Sequence, residues 1–291
     1  MKEHDHMFPI GKMSEVLQVS RSGYYRWLNS GPSARSVENR ELTEQIRSIH
    51  TRSKQTYGSP RITAELNAGN RKASRPRVAR LMKEAGIRSK VTKKYRVSTT
   101  DSKHGFLIAP NLLDRDFKVG ETGKVWVSDI TYIPTVQGWL YLTTVIDLGD
   151  RKVIGWALST TMKALETTVA AWEMAVKNRP ITSALIFHSD RGVQYACTEF
   201  TDLVKAYTTV TRSMSRKGNC WVNAVAESFF KSMKSKWTKW HRYQSFKQAE
   251  LSVFEYLETW YNVHRRPSVL NYMTPSEYHD FFKPEIWPRD T

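Results

Sequence analysis

Three carboxylates stand where phosphoryl-transfer chemistry would need them. Asp129 interrupts residues 125–133, a β-rich run that is apolar on both faces. A carboxylate inside such a strand is costly unless it is paired or bound to a metal. Asp190 follows the apolar run 184–188 and opens the loop Asp190-Arg191-Gly192. Glu227 lies in a helical stretch whose apolar stripe is Ala226, Phe229, Phe230, Met233 and Trp237. Glu227, Lys231 and Lys234, at i, i+4 and i+7, form a separate polar stripe that sets one anion beside two cations. Each acid alone has an ordinary alternative: a buried arginine partner for Asp129, a turn for Asp190, an ion pair with Lys231 for Glu227. Together they outline a site for two divalent ions, Mg²⁺ or Mn²⁺. Such hard cations prefer a few carboxylates plus phosphate and water. Two of them about 4 Å apart activate a water or a 3′-hydroxyl and stabilise the leaving oxygen. Asp147 is a rival carboxylate, read here as structural. His188 either orients a ligand or fills its strand, and the second reading is preferred.

The elements that must position these groups follow from periodicity. Strands are expected at 125–133, 139–147, 152–158, 184–188 and 208–211, with a turn at 134–138. Leu165, Val169, Trp172 and Val176 repeat at helical spacing, as does a second helix over 199–205 and a long one from Asn223 onward. The order β-β-β-α-β-α-β-α predicts an α/β fold, a mixed sheet with helices on its faces.

The front of the chain differs. The whole carries 45 Lys+Arg against 28 Asp+Glu, but residues 1–120 alone hold 24 against 11. That imbalance points to a polyanion such as nucleic acid and places the grip upstream of the carboxylates. Residues 11–29 predict two short helices, a helix-turn-helix or a plain hairpin, with Ser20 or Ser22 as a cap. A helical stretch covers 38–56, and Gly58 and Pro60 mark a break before the next helix. A further helix over 75–85, capped by Ser74 and stopped by Gly86, puts Val78, Leu81, Met82 and Ala85 on one face. Arg75, Arg77 and Arg80 are left to meet DNA in a groove or to face solvent. Lys93 and Lys94 belong to a basic connector, lying along phosphates or merely solvated. Two isolated cysteines, Cys197 and Cys220, make neither a zinc motif nor a disulfide framework. No run reaches the roughly 18 apolar residues of a membrane span, and no secretion signal is read at the start.

Several blocks then acquire a shared meaning. Trp126-Val127-Ser128-Asp129-Ile130-Thr131-Tyr132, Val145-Ile146-Asp147-Leu148, and Arg151-Lys152-Val153-Ile154-Gly155-Trp156 resemble a retroviral-integrase-like core. So do His188-Ser189-Asp190-Arg191-Gly192-Val193-Gln194-Tyr195 and Asn223-Ala224-Val225-Ala226-Glu227-Ser228-Phe229-Phe230-Lys231. With Thr56-Tyr57-Gly58-Ser59-Pro60-Arg61-Ile62 upstream and Thr274-Pro275 downstream, the chain resembles the OrfB-type transposases of bacterial insertion sequence family three.

The resemblance implies a ribonuclease H-like catalytic domain behind a small helix-turn-helix-type DNA-binding region. It implies a DDE metal triad on Asp129, Asp190 and Glu227, with Lys234 on DNA. The implied reaction is hydrolytic nicking at an element end, then attack of the freed 3′-hydroxyl on another phosphodiester. Implied partners are double-stranded DNA, further copies of the chain in a synaptic complex, and an upstream OrfA product or fusion, in the bacterial cytoplasm at the nucleoid. The expected division is a helix-turn-helix-like segment at 1–36, a helical DNA-binding domain at 37–90, a basic linker at 91–120, the core at 121–280 and a tail at 281–291. Three positions and one spacing depart from the family pattern. Val222 stands for a usual Asp, Pro267 for a usual His and Asp150 for a small polar residue. The interval 191–226 is one residue longer than usual. These departures leave the three carboxylates in place, and Val222, just ahead of the helix that carries Glu227, leads us to expect an attenuated enzyme.

Overall fold

The computed structural model describes residues 1–90, 105–113, 119–215 and 224–282. They fall into two compact units, Met1–Ser89 and Lys90–Thr291.

The first unit is helical: α1 (Ile10–Val16), α2 (Arg21–Asn29), α3 (Ala34–Arg52), α4 (Ser59–Ala68) and α5 (Arg75–Glu84). Ser20 caps α2 by accepting the Gly23 N–H at 2.8 Å, which satisfies an otherwise orphaned donor. Pro60 falls in the first turn of α4, where a missing N–H removes no helical bond. Ser74 holds the N-cap position of α5 but makes no side-chain capping bond. At the other end Gly86 takes φ +67°. The Ile87 N–H reaches the Met82 carbonyl and the Gly86 N–H the Lys83 carbonyl, at 2.8 and 3.2 Å. This paired closure needs a residue tolerant of the left-handed region. Leu42, Ile46, Ile62, Leu66, Val78 and Leu81 form the unit's own buried core.

The second unit is built on a five-stranded sheet. In chain order come β1 (Val125–Thr135), β2 (Gly138–Asp147), β3 (Val153–Ser159), α6 (Thr168–Asn178), β4 (Leu185–Ser189), α7 (Val193–Ala196), α8 (Thr198–Lys205), β5 (Val210–Met214) and α9 (Ala224–Lys236). The spatial order is β3-β2-β1-β4-β5. β1 pairs antiparallel with β2 and β2 with β3, whereas β4 lies parallel to both β1 and β5. The predicted mixed sheet is therefore present. Trp126, Trp172, Phe187, Tyr195 and Phe200 fill the layer between the sheet and α6 to α8. Gly155 lets β3 approach α6: a Cβ there would collide with the Ala171 carbonyl oxygen.

Three expectations need correction. The turn expected at 134–138 is only Val136-Gln137, because β1 runs through Pro134 to Thr135. The ladder to β4 ends at Val127, so Pro134 sits where β1 is a sheet edge and a missing N–H is tolerated. The strand expected at 208–211 starts at Val210. The connector is not all tether: the Leu112 N–H donates to Ser213 Oγ at 2.9 Å, the Met214 N–H to the Pro110 carbonyl, and Leu113 is buried.

Beyond α9 the chain forms α10 (Phe246–Phe254), a π-helical stretch Glu255–Tyr261, α11 (Asn262–His264) and α12 (Pro275–Phe281). Among the described residues no helix is long and apolar enough to cross a membrane.

Candidate active site

Two parallel strands deliver two of the carboxylates. Val127 of β1 is in register with His188 of β4, the last pair of their ladder. Asp129 and Asp190 each follow two residues later, so they emerge at the same level where the strands part. Asp129 is half-buried, and its Oδ1 accepts its neighbour's N–H, that of Ile130, at 2.9 Å. Burial pushes its carboxyl well above the usual carboxylate range. The charge of Asp190 adds to this, and that of Glu227 adds less. The Ile130 N–H and the Lys234 ammonium pull the other way. Asp190 is fixed by its own loop, where Oδ1 accepts the Gly192 N–H at 2.8 Å.

Glu227 lies exposed in the first turn of α9. That helix is anchored by its apolar stripe. Phe229 meets Tyr261 edge-on at 4.8 Å between ring centroids, Trp237 meets Tyr256 at 5.2 Å, and Trp237 Nε1 donates to the Ser252 carbonyl at 3.0 Å. Among the described residues no three of His, Cys, Asp and Glu are drawn in to the spacing of one shared ion. Asp129 and Asp190 are thus brought side by side, while Glu227 acts on Asp129 through its field. Like charges this close repel until a cation intervenes. An all-oxygen donor set of this kind fits a hard divalent ion.

The lysines separate clearly. Lys231 is exposed. Lys234 is half-buried, with Nζ 4.2 Å from the centroid of the Tyr132 ring. Burial pulls its ammonium down, and the charge of Asp129 partly restores it. A cation is therefore held beside Asp129.

Two residues without a predicted role support the site. Tyr195 of α7, five positions after Asp190, is buried and shares a 2.7 Å hydrogen bond with Ser128, the neighbour of Asp129. Burial, then Asp129 and Asp190, push its phenol well up, so it stays a neutral prop. Tyr132 is the other, three residues after Asp129 on the same strand. The signal for both lay in an aromatic at fixed distance from a candidate ligand.

His188 fills its strand, fully buried with Nδ1 2.9 Å from Ser213 Oγ. Asp147 belongs elsewhere. Fully buried, it accepts from the Gly123 and Gly149 N–H groups, Trp126 Nε1 and Arg179. In the first unit Arg75 is exposed. Arg77 is engaged with Glu38 and Asn39 at 2.7–3.0 Å, and Arg80 pairs with Glu84 at 2.8 Å. Lys93 and Lys94 lie outside the described residues, as does Val222.

Residues 121–220 match the integrase core domain family, residues 208–275 a second integrase core domain family, and residues 37–95 an HTH-like domain. The 31 kDa protein of insertion element IS600 from Shigella sonnei is 37% identical over 268 residues, spanning 92% of this chain and 97% of that one. Transposase InsF for insertion sequence IS3A from Escherichia coli (strain K12) is 36% identical over 280 residues, 96% of each chain. Among solved structures, a chain of the simian T-cell lymphotropic virus intasome, in complex with PP2A regulatory subunit B56 gamma, aligns with a TM-score of 0.46 and 12% identity. That alignment covers 84% of this chain and 77% of the other.

Proposed function

The chain belongs to the InsF-type transposases of IS3-family insertion sequences, and on that premise we propose that Asp129, Asp190 and Glu227 are the carboxylates of its phosphoryl-transfer site. The observation that carries this reading is the convergence at the end of the β1–β4 ladder. Two carboxylates leave neighbouring parallel strands at one level, and a third bears on the first from α9. Bound there, two Mg²⁺ or Mn²⁺ ions would neutralise the acids and supply an activated water or 3′-hydroxyl for in-line displacement.

The protein's own groups do the rest. Gly192 and Ile130 hold the two aspartates in fixed rotamers through backbone N–H donors. Tyr195 and Ser128 stiffen β1 just before Asp129. Lys234 contacts a backbone phosphate next to the scissile one, and Lys231, exposed on the same stripe, contacts DNA farther out. The helical first unit grips duplex DNA, with Arg75 exposed at the start of α5. Strand joining brings two element ends together and so calls for a second copy of the chain. An OrfA product or fusion would add end recognition.

The test is nicking and joining of element-end duplexes by Asp129→Asn, Asp190→Asn and Glu227→Gln. Each should fall to background with DNA affinity and unfolding midpoint kept. Robust cleavage by any of the three would remove that residue from the site.

A further inference from the structure

The β1–β2 hairpin outgrows the sheet. The ladder to β4 stops at Val127, and β3 pairs with β2 only as far as Tyr141. In the outer part of the hairpin, residues alternate between two environments. Ile133, Leu140 and Leu142 are buried. The opposite face carries Tyr132 and, across the ladder, Tyr141 and Trp139. Tyr132 and Tyr141 are half-buried, and Trp139 is 51% exposed.

Single exposed aromatics are common and need no explanation. Here three share one face, and two are in ordered contact: Tyr132 and Trp139 meet edge-to-face at 4.9 Å, as diagonal cross-strand neighbours can. The hairpin is also pinned. Thr135 bridges to Tyr243, the Val136 N–H reaches the Tyr243 carbonyl at 2.9 Å, and the Phe246 N–H reaches Gln137 Oε1 at 2.7 Å. Trp139 is therefore held rigidly while half of it faces solvent.

At its inner end this aromatic face meets the cation of the site. Lys234 sits over Tyr132 and also feels Asp129. Anchored aromatic faces beside a phosphate-binding cation are how proteins hold unstacked bases. We propose that the Tyr132–Trp139–Tyr141 face is a stacking platform for a nucleobase of the unpaired strand end presented to Asp129, Asp190 and Glu227. This rests on the reading of those three as the reaction site. At roughly 3.3 Å per residue, Tyr132 lies on the order of 10 Å along β1 from Asp129 and on the other face of the strand, and Lys234 bears on both beyond the point where the β4 ladder ends. At the stacked duplex spacing of about 3.4 Å per nucleotide that distance is three nucleotides, and fewer for an extended unpaired strand. The platform thus takes a base within three positions of the scissile phosphate. Its contact is with a π-face, so it selects for strand opening rather than for sequence.

The experiment uses the full chain, without divalent cation, and a fluorescein-labelled 30-base-pair duplex ending in four unpaired 3′ nucleotides of arbitrary sequence. Trp139→Ala should weaken binding about tenfold, Trp139→Phe less than threefold, with unfolding midpoints unchanged. A fully paired duplex should bind Trp139→Ala as it binds the natural protein. Abasic sites placed singly along the overhang add the decisive arm. Within three nucleotides of the duplex junction or the 3′ end, one should weaken the natural protein and erase the Trp139→Ala effect. Binding of every probe within twofold of the natural protein would overturn the platform, as would a loss equal on all probes. Cleavage retained by Asp129→Asn, measured separately, would instead overturn the reading of the reaction site.

Discussion

Arg179 offers the sharpest test of what holds the sheet unit together. It stands just past α6, its side chain 12% exposed, between two carboxylates that are fully buried. Nη1 lies 2.5 Å from Asp147 and Nη2 2.6 Å from Asp150. Replacing it by Met keeps length and apolar packing but leaves two acids without their shared cation. Losing one partner of a buried pair costs about 3–5 kcal/mol. Sharing by two acids pushes toward the top of that range. The donors that stay pull back: Asp147 keeps the Gly123 and Gly149 N–H groups at 2.6 and 2.8 Å, and Asp150 keeps the Lys152 N–H at 3.0 Å. For a unit of this size each kcal/mol moves Tm by about 2–4 °C, so Arg179→Met should lower Tm by roughly 6–20 °C. Tryptophan fluorescence reports on the right unit, because every tryptophan except Trp27 follows residue 90. Combining Arg179→Met with Asp147→Asn and Asp150→Asn should restore part of the loss, since stranded charge rather than lost packing carries the cost. A fall of under about 3 °C, or no recovery in the triple variant, would refute this account.

Four further outcomes are expected. Despite its burial, Asp150 has its carboxyl held below the ordinary value of 3.8 by His279 and Arg179. A depressed folded value means stability that is present above pH 3.8 and lost as pH falls through the folded value. Asp150→Asn should therefore flatten the acid limb of the Tm–pH curve. Gly155→Ala forces a Cβ against the Ala171 carbonyl and should cost about 1–3 kcal/mol in urea unfolding. Lys234→Glu should impair joining of element ends more than Lys239→Glu on the same assay, whereas equal losses would indicate only diffuse attraction. A fragment of residues 1–90, which carries its own core, should bind duplex DNA with a log–log salt slope of about −0.9 per phosphate contacted. Salt-insensitive binding would place the grip elsewhere.

The sheet and the aspartate pair were legible because each obeys a local rule. An acid inside an apolar strand and an acid one residue past another are visible in the pattern of residues alone, and the parallel pairing of those strands sets them side by side. The edges of elements were less legible. Pro134 reads as a turn residue until the early end of the β4 ladder shows that β4 does not run beside β1 there. The stretch 109–113 reads as linker because its hydrogen bonds are made with Ser213 and Met214, about a hundred residues away. Arg77 reads as a free cation because Glu38 lies 39 positions upstream, on a different helix. The exposed aromatic face was hidden for a different reason: Tyr132, Trp139 and Tyr141 count as apolar in a pattern. Only the register shows which side of the hairpin the core leaves uncovered.

The departures from the family pattern can now be weighed one by one. Asp150 is fully employed, holding Arg179, the Lys152 N–H and His279 of α12, so it ties a C-terminal helix to the end of β2. Pro267 has φ −71°, a value its ring prefers. Its carbonyl accepts the Leu270 and Tyr272 N–H groups at 3.2 and 3.1 Å. Beside it Arg266 is buried in a two-pronged pair with Glu277 at 2.8–2.9 Å. Neither substitution leaves a buried group stranded, so neither gives a physical reason for lowered activity. The reason that survives is Val222, five residues before Glu227 and outside the described residues. An Asp there would sit near the N-terminus of α9, where an anion gains about 0.3–1 kcal/mol from the helix dipole. The expectation of attenuation thus stays with Val222 and the approach to Glu227. That acid is also the one whose charge bears on Asp129 less than that of Asp190 does.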